Sequence, residues 1–251
     1  MKPGVPQGDD FLILAGGEPD KSCVSIDVGH HRIMMTEGDS GAADFDWEGR
    51  YRDDTARWDK GAAVPALTDW LDTLETPRTG KVVVPGCGRG HDASAVAQAW
   101  PDAEVLGIDL SDTAIQEAKG RYALPNLRLE VADYFEQPGE EDLTAIIEHT
   151  CFCAIPPRLR VVYRDTAARR LQYGGLLVAV FYLHPIETED DPDDGPPWGS
   201  SVPELNNLFD AATFEPMLSR VPKHAFKGRE LRELLRVFRK IAPEPNRFNE
   251  Q

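Results

Sequence analysis

The stretch 81–92, K-V-V-V-P-G-C-G-R-G-H-D, constrains the fold more than any other part of the chain. Three consecutive β-branched residues, Val82, Val83 and Val84, suit a strand buried on both faces, as in a parallel sheet. Pro85 has no N–H for the ladder and ends it. Gly86, Gly88 and Gly90 at alternate positions let the backbone turn sharply and let a ligand approach with no Cβ in the way. Asp92 is placed to cap a helix through Ala93, Ala95, Val96, Ala97 and Ala99. Strand, glycine loop and helix in this order open a doubly wound α/β sheet.

The next apolar run, 104–108, ends on Asp109. An acid at the end of the second strand, about 20 residues past the glycine loop, stands where ribose hydroxyls need an acceptor. The spacing is G-x-G-x-G rather than G-x-G-x-x-G. The third glycine of the dinucleotide pattern, which packs the helix close to a pyrophosphate, is displaced. That favours S-adenosylmethionine, which carries ribose and adenine but no phosphate. A tight turn followed by a surface Asp is the plainer alternative.

Composition narrows the partners. A chain of 251 residues is long enough for one large α/β domain with an appendage. A net charge of -16 disfavours nucleic acid, whose affinity comes from Lys and Arg, and also an anionic membrane surface. Four cysteines, Cys23, Cys87, Cys151 and Cys153, are too few for a disulfide scaffold. Cys151 and Cys153 have C-x-C spacing without a Cys/His partner set, so no metal site is expected. The apolar run 11–15 is too short for a membrane span or a signal segment, and a reducing cytoplasm is the expected compartment.

In chain order, 1–43 reads as an N-terminal extension, partly disordered or a loose flap, with short apolar patches at 11–14 and 24–28 and an alternative start at Met34 or Met35. His30 and His31 would point to opposite faces of a strand and do not make a metal pair. The domain proper is 44–251, with aromatic lid helices over 44–75 and an α/β core over 80–251. Trp47 and Tyr51 are i, i+4 and share one face of a helical turn; with Trp58 they form either a lid over the site or an amphipathic helix docked on the core. A cationic sulfonium on such rings gains about 0.5–2 kcal/mol. The spacing of Leu67, Trp70, Leu71 and Leu74 predicts a helix over 63–74 with Pro65 in its first turn.

Further on, Ser111 and Asp112 cap a helix that stops at Gly120. Strands follow at 126–132 and 143–148, a helix from Pro156 to Gln172, and a strand at 176–183. The segment 187–200 holds six carboxylates among prolines and glycines and reads as a loop, with Pro197 and Trp198 at its tip. A helix at 203–212 and a strand at 213–221 come next. Leu231, Leu234, Leu235 and Phe238 fit a helical period, but the topology asks for a last antiparallel strand over 233–240. Four strand ends thus bring the glycine loop, Asp109, Asp133 with Tyr134, and Glu148 with His149 to one crevice. Asp109 suits ribose, Asp133 the adenine amino group with Tyr134 stacking nearby, and Glu148 with His149 the amino-acid end.

Taken together, D-F-D-W-E-x-R-Y…R-W-D-x-G, V-V-V-P-G-C-G-R-G-H-D, L-G-I-D-L-S, D-Y-F, E-H-T-C-F-C-A-I-P-P-x-x-R and D-G-P-P-W resemble the thiopurine methyltransferase superfamily over residues 44–240. The form V-P-G-C-G with Trp58, Asp59 and Gly61 looks closer to its plant and bacterial thiol and halide methyltransferases. The resemblance implies a class I S-adenosylmethionine-dependent methyltransferase: a Rossmann-like, seven-stranded, mostly parallel sheet with helices on both faces. It implies cofactor contacts from Trp47, Tyr51, Trp58, Gly86, Asp109, Asp133, Tyr134 and His149. Cys87, Gly88, Leu110 and Glu148, neighbours of these residues, complete the cofactor set. The resemblance also implies an acceptor pocket near Trp58, Phe152, Tyr182, Pro197 and Trp198. Where the family often has F-D-Y, this chain has Ile147, Glu148 and His149.

Methyl transfer from a sulfonium is an in-line displacement that needs alignment and exclusion of water. A halide arrives ionised, and a thiol nearly so with a pKa near 8.5, so no committed base is required. His149 is the one catalytic candidate, in a secondary role as acceptor of a thiol proton. The expected substrate is a small soft nucleophile: thiol or hydrosulfide, halide, or thiopurine sulfur. The expected state is a monomer, with a dimer as the alternative. Two rivals stand beside this reading, a nucleotide-dependent oxidoreductase on the same fold and a non-catalytic cofactor-binding protein.

Overall fold

The computed structural model describes residues 23–28, 31–36, 45–74, 78–136, 141–183 and 195–242. The chain divides into two units, residues 1–40 and 41–251. In the first, β1 (Cys23–Val28) and β2 (His31–Thr36) pair antiparallel, with Cys23 opposite Thr36 and Val28 opposite His31. Val24, Ile26 and Val28 alternate with polar residues, and a period of two suits a strand. The patch at 11–14 and His30 lie outside the described residues.

The second unit begins with two helices, α1 (Trp47–Arg52) and α2 (Pro65–Leu71). Then come β3 (Gly80–Pro85), α3 (His91–Ala99), β4 (Ala103–Asp109), α4 (Asp112–Arg121), β5 (Leu127–Val131) and β6 (Leu143–His149). Two short 3-10 turns, Phe152–Ala154 and Pro157–Leu159, lead into α5 (Arg160–Arg170). The chain continues with β7 (Leu171–Tyr182), α6 (Val202–Leu208), β8 (Phe214–Arg220) and β9 (Glu233–Lys240). The sheet runs β5-β4-β3-β6-β7-β9-β8. Pairs from β5 to β7 are parallel, and β9 is antiparallel to both β7 and β8. After β3 the chain winds outward to β5 and then returns to the other side of β3 for β6. The ligand crevice of such a sheet opens at this switch point, beyond the carboxyl ends of the strands.

Val82, Val83 and Val84 are all buried, as a central strand covered on both faces requires. Each such side chain stabilises the fold by about 1.5–3 kcal/mol relative to an exposed one. One face packs Val82, Val84, Ile147, Val180 and Leu235 against Leu67 of α2 and Val96 of α3. The opposite face is aromatic: Phe152, Phe181, Phe209 and Phe238 meet ring to ring, with Phe209 stacked on Phe238 at 5.1 Å.

Several local expectations are corrected. Gly90, left-handed at φ 77°, takes the N-cap of α3, and Asp92 falls inside the first turn. Ser111 does cap α4, accepting the Ala114 N–H at 3.1 Å, but the helix runs through Gly120 to Arg121. The helix expected from Pro156 is a 3-10 turn followed by α5, and β7 starts five residues before Leu176. The tail is a strand despite its helical period. Between β7 and β8 both faces of β9 are covered, so Leu234, Leu235, Val237 and Phe238 are all buried and no alternation shows.

Candidate active site

The site is built at the carboxyl ends of β3, β4 and β6. Past Pro85, Gly86 and Gly88 take left-handed φ of 58° and 51°, which only glycine adopts without strain. A Cβ on Gly88 would lie 2.4 Å from the Tyr51 hydroxyl, and one on Gly86 would lie 2.9 Å from Cys151 Cβ. Cys87 donates its N–H to Ile108 O at 2.9 Å, and its sulfur turns beneath the loop toward Gly107. Burial pushes that thiol up, as do the charges of Asp109 and Asp92.

Asp109 ends β4 with both oxygens engaged. It accepts the Gly88 N–H at 2.8 Å and the Ser111 N–H at 2.9 Å. Burial pushes its carboxyl up, against the pull of these bonds. Beside it Leu110 and Val131, at the ends of neighbouring strands, are about half exposed. Asp133 accepts the Phe135 N–H at 2.8 Å through one oxygen.

The aromatic segment is docked, and part of it stays open. Asp46 caps α1 by accepting the Gly49 N–H at 2.7 Å. Glu48 reaches the start of α4, accepting from the Ser111 hydroxyl at 2.7 Å, the Thr113 hydroxyl at 2.5 Å and the Thr113 N–H at 3.2 Å. The two hydroxyl bonds first, then the amide, hold its carboxyl below the usual range. Tyr51 is buried, and its hydroxyl accepts the Trp58 indole N–H at 2.9 Å. Trp47 and Trp58 stand edge to face at 5.3 Å, both only half-buried. Arg89 of the glycine loop pairs with Asp54, Asp59 and Glu117, tying the segment after α1 to α4.

At the end of β6, alternation sends neighbouring residues to opposite faces. Glu148 is 1% exposed; it accepts the Phe152 N–H at 2.7 Å and the Tyr163 O–H at 2.6 Å. Burial pushes its carboxyl up to about 7. Tyr134 packs beside Tyr163 under the Arg170 guanidinium, and Phe152 is ringed by Tyr163, Phe181 and Phe209. These three candidates form a buried wall behind the crevice, and the structure does not bring them to its surface. His149 faces the other way. Its Nδ1 lies 2.6 Å from Asp92 Oδ2, while Asp92 Oδ1 accepts the Val64 N–H at 2.8 Å. Burial alone would raise the Asp92 carboxyl, but the charge and hydrogen bond of His149 hold it below the usual range.

On the same face, Tyr182 pairs with Glu233 in the β7–β9 register. Arg229 lies over the Tyr182 ring at 5.9 Å and 3.5 Å from Glu233 Oε1. Trp198 donates its N–H to Cys153 O at 2.7 Å, and Arg160 holds the carbonyls of Trp198 and Gly199, so this part of the loop is pinned beside the 3-10 turn. Pro197 is exposed. The acidic residues 187–194 lie outside the described residues. Glu48, Arg89, Asp92 as the partner of His149, and Glu233 are the residues sequence reasoning missed. Only Glu233 left a trace, as an acid heading a strand that continues Leu234, Leu235.

These residues fit a cofactor that joins a ribose to a sulfonium. Each Asp109 oxygen keeps a lone pair beyond its backbone bond, and apolar side chains, Leu110 and Val131, stand half exposed at these strand ends. The helix start, where the pyrophosphate of a dinucleotide would bind, carries the carboxylate of Asp92 in its first turn, which disfavours one.

The thiopurine S-methyltransferase (TPMT) family model matches residues 42–230. Probable thiol methyltransferase 2 of Arabidopsis thaliana is 32% identical over 189 residues, covering 74% of this chain and 78% of its own. Thiocyanate methyltransferase 1 of Brassica oleracea is 30% identical over 199 residues, covering 78% and 84%. Among solved structures, the Burkholderia thailandensis 1,6-didemethyltoxoflavin-N1-methyltransferase with bound S-adenosylhomocysteine shares the fold at a TM-score of 0.62 and 20% identity, covering 90% of this chain and 99% of that one. The glycine loop, the acid closing β4 and a match over most of the chain agree: the chain belongs to the thiopurine S-methyltransferase family and is an S-adenosylmethionine-dependent methyltransferase.

Proposed function

We propose that this enzyme methylates the sulfur of a small thiol-class acceptor, with halides as competing acceptors. The observation that carries the reading is the closure of Gly88, Asp109, Tyr51 and Trp58 around one strand end, in a chain 30–32% identical to enzymes named for thiols and thiocyanate. S-adenosylmethionine, when bound, supplies a methyl group on a sulfonium that leaves as a neutral thioether. Gly86, Cys87, Gly88 and Asp109 hold its ribose end, and Leu110 and Asp133 its adenine. Trp47, Tyr51 and Trp58 roof the charged sulfur, and His149 borders its amino-acid end. Glu148, Tyr134 and Phe152 support this wall from behind. Trp58, Tyr182, Pro197 and Trp198 border the acceptor.

The chain's part in catalysis is alignment and dryness. Domain 44–251 acts as a monomer in the cytoplasm, with 1–43 outside the catalytic unit. No helix among the described residues is long and apolar enough to cross a membrane. The test is a competition assay with S-adenosylmethionine and hydrosulfide, methanethiol, iodide, chloride, thiocyanate and a thiopurine, read by headspace or product detection. Sulfur acceptors should lead, and iodide should exceed chloride. Equal rates across the halides contradict a desolvation-controlled pocket, and no methylated product from any acceptor contradicts the reading itself.

A further inference from the structure

Two buried polar atoms at the crevice have no partner, and both lie on one face of the sheet. His149 sits opposite Val180, Val180 opposite Leu235, and Glu233 is two residues before Leu235, so His149 and Glu233 project to the same side. His149 Nε2 is buried without a hydrogen bond, its side chain 10% exposed. Glu233 Oε2 is likewise buried and unpartnered, in a residue 2% exposed. Buried polar atoms nearly always find a partner, so each of these two calls for one that the chain's own groups do not supply.

The chemistry of that position follows from what surrounds it. The carboxylate of Asp92, on α3, accepts the proton at Nδ1, so the ring in its neutral form carries its lone pair at Nε2. Glu233 stands on β9 with Arg229 before it, Glu148 is the neighbour on the far face, and His91 acts on Asp92 from α3. The Arg229 guanidinium is shared between Glu233 and the Tyr182 ring. Burial raises the Glu233 carboxyl, while His149 in its protonated form and the charge of Arg229 oppose that rise. The position thus offers an accepting nitrogen and a carboxyl oxygen, which suits a ligand with a proton to give.

We infer that His149 is the base for a neutral thiol acceptor, that Asp92 positions it, and that Glu233 biases the pocket against acceptors arriving as anions. The inference rests on the methyl-transfer reading above and narrows its acceptor class to protic thiols over halides and thiocyanate. In the step, the S–H bond breaks with its proton going to His149 Nε2 and its electron pair staying on sulfur. That pair forms the new S–C bond as the donor's C–S bond breaks, the latter pair leaving with the donor sulfur. The imidazolium, held beside Asp92, then returns its proton to water.

The test compares a small alkyl thiol with iodide as acceptors, in wild type, His149→Gln, His149→Ala, Asp92→Asn and Glu233→Gln, from pH 6 to 9. General-base loss typically lies between 10²- and 10⁴-fold. The His149 variants should therefore lower kcat/KM for the thiol about 10²-fold more than for iodide at pH 7, with the gap narrowing as pH rises and more of the thiol ionises unaided. Asp92→Asn should move the pH profile for the thiol and not that for iodide. Glu233→Gln should raise the iodide-to-thiol ratio several-fold and, by calorimetry, tighten thiocyanate binding to the S-adenosylhomocysteine complex. Equal loss for both acceptors, a full thiol rate in both His149 variants, or an unchanged ratio in Glu233→Gln overturns the inference. In those cases S-adenosylhomocysteine still binds; if it does not bind wild type, the methyltransferase reading has failed instead.

Discussion

The Gly88 N–H donates to the Asp109 carboxylate at 2.8 Å, joining the glycine loop to the end of the next strand. Neither residue can change without disturbing the other. The loop's left-handed turn aims the N–H, and the acid that accepts it also takes the Ser111 N–H, where α4 begins.

Gly88→Ala tests this joint. A left-handed backbone costs a residue with a Cβ about 1–2 kcal/mol, and here the new methyl also meets the Tyr51 hydroxyl. Stability in urea should fall by at least about 1 kcal/mol, and tryptophan fluorescence should change as Tyr51 releases the Trp58 indole. Unchanged stability with unchanged fluorescence would contradict the packing of α1 over the loop.

Glu48→Gln tests how α1 is held. The hydrogen bonds from Ser111 and Thr113 keep the Glu48 carboxyl below its ordinary value in the folded chain. Its contribution is therefore present above the unfolded carboxyl pKa and is lost as pH falls through the folded value. Hydrogen-exchange protection factors at residues 47–58 should fall in acid in wild type and at neutral pH in Glu48→Gln, while those in β3 and β6 stay high. Equal exchange in the two proteins at neutral pH would mean that α1 docks through its aromatics alone.

Glu148→Gln tests the buried wall. Burial lifts the Glu148 carboxyl from 4.5 to about 7. A carboxyl raised in the folded state gives stability that is full below the unfolded pKa and lost as pH rises through the folded one, here on the order of 3 kcal/mol between pH 4.5 and 7. Glutamine keeps an acceptor for the Phe152 N–H and offers Tyr163 a donor, so it mimics the neutral form. Denaturation between pH 5 and 8 should show a flatter pH dependence in Glu148→Gln than in wild type. Parallel curves would contradict the raised carboxyl.

The frame of the fold was legible because its signals are local. Val82 to Val84, Pro85 and the three glycines specify strand, stop and turn within ten residues, and Asp109 follows at the expected remove. The final strand was legible only through topology, since its own period speaks for a helix and both of its faces are buried. Other features had no local signal. Asp92 looks like a cap, yet it pairs with His149, 57 residues away. Glu148 and His149 look like one polar pair at a strand end, yet the pleat sends one into the aromatic core and the other to the crevice. Glu233 reaches the same face only because β9 is inserted between β7 and β8.

Titration calorimetry with S-adenosylhomocysteine puts the question most directly. A carboxylate hydrogen-bonded to ribose hydroxyls contributes about 1.5–3 kcal/mol, so Asp109→Ala should weaken binding about 10- to 100-fold. The account predicts saturable one-to-one heat for wild type, that loss in Asp109→Ala, and no heat from NADH. No heat for S-adenosylhomocysteine, or equal affinity in Asp109→Ala, would contradict it.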